Sequence, residues 1–128
     1  MAFASIAPST FDFTGTYEIR QGADWIVVVT IRDANGVPLD LSEYNAAAPV
    51  ADFIDGSGST SGVCQPDISW VGGGTGGEIQ FWFKNADSTA ATVLSGSYQL
   101  EITYDTAPPT LKNRILAGTW SMSRETTT

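Results

Sequence analysis

Residues Glu78 to Lys84, EIQFWFK, alternate at the two-residue period of a β-strand: Ile79, Phe81 and Phe83 fall on one face, and Glu78, Gln80, Trp82 and Lys84 on the other. The first face reads as core. The second is polar apart from Trp82, whose large apolar ring asks for a cover: the chain's own amino-terminal segment, another protein chain, or a sugar.

The same period recurs along the chain. SYQLEITY (97–104) sets Tyr98, Leu100, Ile102 and Tyr104 against Ser97, Gln99, Glu101 and Thr103. DWIVVVTIRD (24–33) is rich in β-branched residues, with Trp25, Val27, Val29 and Ile31 on one side and the partly apolar Ile26, Val28, Thr30 and Arg32 on the other. That pattern predicts a central strand covered on part of its second face. Shorter strands are predicted at TYEIRQG (16–22), VADFID (50–55), VCQPDISW (63–70) and LKNRILAGTWSM (111–122). Pro66 has no N–H to give a ladder and places its strand at an edge or bulge.

Turn signals separate these runs: Asn35-Gly36, GSGSTSG (56–62), GGGTGG (72–77) and DTAPPT (105–110). NADSTAATVLSG (85–96) is the one helix candidate, one to two turns long and stopped by Gly96. Together these elements predict an all-β protein, a single antiparallel immunoglobulin-like β-sandwich with one short helix. An apolar-aromatic arm over residues 1–14 precedes the sandwich domain, 15–128.

Composition narrows the function. The chain's 128 residues are 42% hydrophobic and 16% charged, so its surface relies on small polar side chains more than on ions. Fourteen acids against six bases give a net charge of −8, and the few Lys and Arg are scattered, which speaks against nucleic acid and against an anionic membrane surface. MAFASIAPSTFDFT has no basic start and too broken an apolar run for a signal peptide, and no stretch approaches the ~20 apolar residues of a membrane span. The expected site of synthesis is a cytoplasm.

Candidate chemistry is sparse. With no histidine, imidazole-based triads and zinc sites are excluded. Cys64 is the only cysteine, so no internal disulfide forms. Asp33, Asp40, Glu43, Asp52, Asp55 and Asp67 lie in or beside turns, where capping explains them, and no enzyme is expected. DANGVPLDLSE has the acid density of a calcium loop, but Gly36 follows Asp33 by three residues where an EF-hand needs five; turn chemistry accounts for it, and calcium there is left open. GGGTGG lacks the Gly-Lys-Ser/Thr of a P-loop and leads into a strand, so no nucleotide cofactor is expected.

Two segments bear a family resemblance. In YEIRQGADWIVVVTIRDANGVPLDLSEYNA, Gln21-Gly22, Asp33, Gly36, Pro38, Asp40-Leu41-Ser42 and Tyr44 occupy the places of an opening pattern of small β-sandwich proteins from tailed phages. In LSGSYQLEITY and NRILAGTWSMSRETT, Gly96, Tyr98, Leu100, Glu101, Arg114, Ile115, Leu116, Gly118 and Trp120 are similar to the closing pattern. The family resembled is the amino-terminal domain of upper-baseplate proteins of lactococcal phages, together with stand-alone tail and baseplate subunits. The likeness covers most of residues 16–126, and over 48–77 it is only a strand-loop-strand of variable length.

The resemblance implies a structural tail or baseplate component, made in the host cytoplasm and located in the virion, without catalytic residues or cofactor. Its implied partners are other virion structural proteins and copies of itself in a symmetric assembly. Gln21, Gly22, Gly36, Pro38, Asp40, Leu41, Gly96, Tyr98 and Gly118 are its structural motif residues. The aromatic-rich positions Phe3, Ile6, Phe11, Phe13 and Trp82 are the candidate contact residues, because interface centres favour aromatics over charge. YDTAPPTLKNR departs from the family's short turn, and with the chain ending at Thr128 a receptor-binding domain is not expected. A capsid decoration protein and a carbohydrate-binding module are the alternatives.

Overall fold

The computed structural model describes residues 2–6, 10–45, 47–104 and 111–123. Its elements in chain order are β1 (Ala2–Ile6), β2 (Ile19–Arg20), β3 (Trp25–Ile31), β4 (Val50–Ile54), β5 (Asp67–Trp70), β6 (Glu78–Phe83), α1 (Asn85–Ala90), β7 (Ser95–Tyr104) and β8 (Leu111–Ser123). They form two four-stranded sheets, ordered β1-β3-β6-β5 and β2-β8-β7-β4, packed as an all-β sandwich with one short helix. Two pairings are parallel, β1 with β3 and β2 with β8, so the sandwich is antiparallel only in its remaining ladders.

Alternation sets which side chains meet between the sheets. Val27, Val29 and Ile31 of β3 and Ile79, Phe81 and Phe83 of β6 are fully buried against Tyr98, Leu100, Ile102, Leu116 and Trp120 of the facing sheet. β3 lies between β1 and β6, and Val28 and Thr30 on its second face are also buried, as a central strand requires. Pro66 immediately precedes β5, which is an edge strand.

The first residues do not stand apart as an arm. β1 pairs with β3 in register Ala2↔Val27 to Ile6↔Ile31, and Thr10 and Phe13 bridge in parallel to Ala117 and Trp120 of β8. Phe11 N–H donates to the Ala117 carbonyl and Phe13 N–H to that of Thr119, so both sheets recruit this segment. Phe11 and Phe13, expected to reach another chain, are buried in this chain's own core. The Phe13 ring lies 4.9 Å from those of Phe11 and Phe81, 5.2 Å from Tyr98 and 5.5 Å from Phe53 and Phe83. Sequence pattern gave no partner for it because the ring fills a gap between sheets that exists only once they pack.

The region predicted as a strand at 16–22 is a 3-10 turn, Gly15–Tyr17, followed by the two-residue β2. The helix, α1, has the one to two turns expected but ends well before Gly96. Ala91 is already extended, and Thr92 and Val93 donate their N–H groups to the Gly62 carbonyl at 2.9 and 3.0 Å, which pulls the chain out of the helix. Gly96 therefore does not stop α1; it lies within β7, where β4 passes so close that a side chain would collide with the Ile54 carbonyl.

Candidate docking surface

The motif residues of the sequence are structural joints. Gln21 Nε2 donates to the carbonyls of Ser88 and Ala91 at 3.1 and 3.3 Å, and Gly22 N–H donates to Ser88 Oγ at 3.0 Å, so this pair fastens α1 to the strand entrance. Gly22 and Gly36 sit at φ 82° and 80°, a region only glycine occupies without strain. Asp33 Oδ1 accepts the N–H groups of Asn35 and Val37 at 2.8 and 3.0 Å, closing the turn that Gly36 completes. Pro38 bridges to Arg32, Asp40 Oδ1 accepts the Ser42 N–H, and the buried Leu41 donates its N–H to the Gly74 carbonyl at 2.8 Å. Tyr98 Oη donates to the Phe11 carbonyl, and at Gly118 a side chain would collide with that same carbonyl.

Charge is used in the same way. Hydrogen bonds from Ser42 hold the Asp40 carboxyl below its usual range, and those from Ser57 and Ser59 do so for Asp55, the reverse of what a general acid needs. Burial, with repulsion from Asp87 added, pushes the Cys64 thiol up to about 12. Among the described residues no three His, Cys, Asp or Glu stand together as metal ligands. No helix among them is long and apolar enough to cross a membrane.

Trp82 lies on the outer face of its sheet, paired in register with Ile26 of β3 and Asp67 of β5. It is half-buried, its Nε1 has no hydrogen-bond partner, and Lys84 Nζ stands 5.0 Å from the ring centroid while binding Asp67 Oδ2 at 2.7 Å. β3 separates β1 from β6, so the backbone of the amino-terminal strand is not laid across Trp82. Phe3 and Ile6 belong to β1 and stand in register with Val28 and Ile31; their side chains lie outside the described residues. The five candidate contact residues are thus not gathered on one surface.

A sugar-binding face needs two or three exposed aromatics in line. Among the described residues the exposed large hydrophobics are Val37 and Val50, and neither is aromatic. Trp25 lies under Arg20, whose guanidinium carbon is 4.7 Å from the ring, and Trp70 Nε1 donates to the Ala47 carbonyl at 2.9 Å.

Sequence reading missed the edge of β4. Val50 is 63% exposed there, and grooves open on both sides of it. One, about 460 Å³, crosses the outer sheet face between Val50, Asp52 and Glu101 over a floor that includes Ser97, Ala117 and Gly118. The other, about 590 Å³, runs between the β4 and β5 edges past Ala51, Ile68 and Trp82. The available signal was the alternation of VADFID, which sets Val50 and Ile54 on one face with Asp52.

No protein-family model matches the chain, and no curated protein matches its sequence. Its fold is similar to that of the solved N-terminal domain of phage TP901-1 ORF48, with a TM-score of 0.56 and 10% identity. The match covers 97% of this chain and 100% of that one, so the chain shares that all-β fold from end to end.

Proposed function

We propose that this protein is a structural subunit of a phage virion, a tail or baseplate component that docks to neighbouring virion proteins and carries no catalytic activity. The observation that carries the reading is the end-to-end fold likeness to a phage protein domain, 97% of one chain on 100% of the other. Agreement of the opening and closing sequence blocks with upper-baseplate proteins supports it. Several of those motif positions serve joints of the fold: Gln21 and Gly22 on α1, Tyr98 and Gly118 on the Phe11 carbonyl.

The partners are other virion structural proteins, with copies of the same chain in a symmetric assembly whose multivalency supplies avidity. Nucleic acid and membrane are not partners in this reading. A half-buried Trp82 with Lys84 near its ring favours protein contact over sugar stacking.

Mass spectrometry of virions separated into heads and tails tests it. Recovery with tails, at a few to a few dozen copies, is expected. Recovery with heads would make the chain a decoration protein, and absence from both would leave the likeness as one of fold alone.

A further inference from the structure

The edge of β4 is built unlike a closed edge. Gln65 Nε2 donates to the Phe53 carbonyl at 2.6 Å and Gln65 Oε1 accepts the Phe53 N–H at 3.0 Å, so a side chain occupies both outward backbone groups at that position. Those bonds show that Phe53 turns its backbone away from β7. By the alternation of an antiparallel ladder, Ala51 turns its N–H and C=O the same way. No described residue takes them. An open N–H and C=O at a sheet edge form a template for an added strand.

The side chains around this position select what is added. Val50, 63% exposed, stands on the outer face, and beside it on the same face is Asp52. Glu101 lies across from Val50, on the diagonal from Asp52, a separation of roughly 7–8 Å in such ladders. In register, Glu101 stands opposite position 114 of β8 and Asp52 opposite Gln99 of β7, and among the described residues no ion pair engages Asp52. The inner side of the edge opens into the groove of about 590 Å³ toward Ile68 and Trp82. An incoming strand therefore meets, inward, a groove where Pro66, Ile68 and Trp82 stand beside Asp67, Ser69 and Gln80, and, outward, the Asp52 carboxylate, on a chain whose net charge is −8.

We propose that this edge receives an extended, Lys- or Arg-bearing segment of a neighbouring protein chain. The segment pairs its backbone with Ala51, sets an apolar residue toward the groove and lays its cation beside Asp52. Strand addition of this kind draws affinity from main-chain bonds and specificity from alternate side chains. Gln65 fixes where the addition stops. The inference rests on the proposed role as an assembly subunit and names the surface and the chemistry of the docking partner.

The test supplies the full chain in trans to a phage lacking its gene and measures the copies recovered in purified particles. Ala51→Pro removes the N–H at an edge position where proline is tolerated. Asp52→Lys reverses the charge without touching the backbone. Each variant is first checked by near-ultraviolet circular dichroism and by a melting temperature within about 5 °C of the parent.

The expected result is a drop in incorporation of about tenfold or more for both, with Asp52→Asn falling between Asp52→Lys and the parent. Should Ala51→Pro misfold, the two Asp52 variants carry the test. Incorporation of folded Ala51→Pro or of Asp52→Lys at the parent level overturns the proposal and leaves the assembly role standing. A parent chain that does not enter particles overturns both.

Discussion

The Tyr98 hydroxyl donates a buried hydrogen bond to the backbone carbonyl of Phe11, 2.5 Å away and 87 residues earlier in the chain. It joins β7 to the amino-terminal segment that runs beside β8, and it lies against the Phe53 ring, stacked at 4.7 Å and 9°. Tyr98→Phe keeps the ring and leaves the buried carbonyl without its donor. The expected loss is about 1–2 kcal/mol, read as a lower urea midpoint with unchanged slope.

Phe13 sits at the centre of the aromatic core and has no exposed surface. Phe13→Ala is expected to cost about 3–5 kcal/mol in denaturant unfolding, the range for an aromatic deleted from a packed core. A variant as stable as the parent would return Phe13 to the role of a contact for another chain.

Gly96→Ala places a methyl group on the Ile54 carbonyl and 2.8 Å from Trp120 Nε1, which itself donates to that carbonyl at 3.0 Å. β4 must move away from β7, and a buried hydrogen bond is broken. A loss of about 2–4 kcal/mol is expected. At Gly36 an added methyl has nothing within 4 Å, and the positive φ alone acts; Gly36→Ala should cost about 1 kcal/mol. Melting curves of the two variants separate collision from backbone strain.

Cys64 is buried, and its thiol is pushed up to about 12 from the ordinary 9.0, first by burial and then by Asp87. Burial, with repulsion from Asp12, moves the Tyr98 hydroxyl in the same direction from its ordinary 10.0. In both cases the folded state holds the proton more tightly than the unfolded state does. Their stabilisation is complete below pH 9 and is lost as pH rises through 9 toward 12. Stability should fall across that interval, with tyrosinate absorbance rising together with unfolding. A thiol reagent at pH 7 should label Cys64 only in denaturant.

What the sequence determined by itself was the period of each strand and the chemistry of each turn. Ile79, Phe81 and Phe83 point inward as their spacing requires, and Asp33 and Gly36 close the turn their side chains suit. These features depend on neighbours within a few residues, so local sequence carries them. Only the tertiary structure decided that Phe11 and Phe13 enter the core, that Gly96 is a strand crossing and no helix stop, and that Gln65 covers Phe53 while Ala51 stays open. Each of those outcomes depends on how close two distant segments approach, as Phe11 and Tyr98 do. The residue period specifies which way a side chain faces and leaves open what it meets.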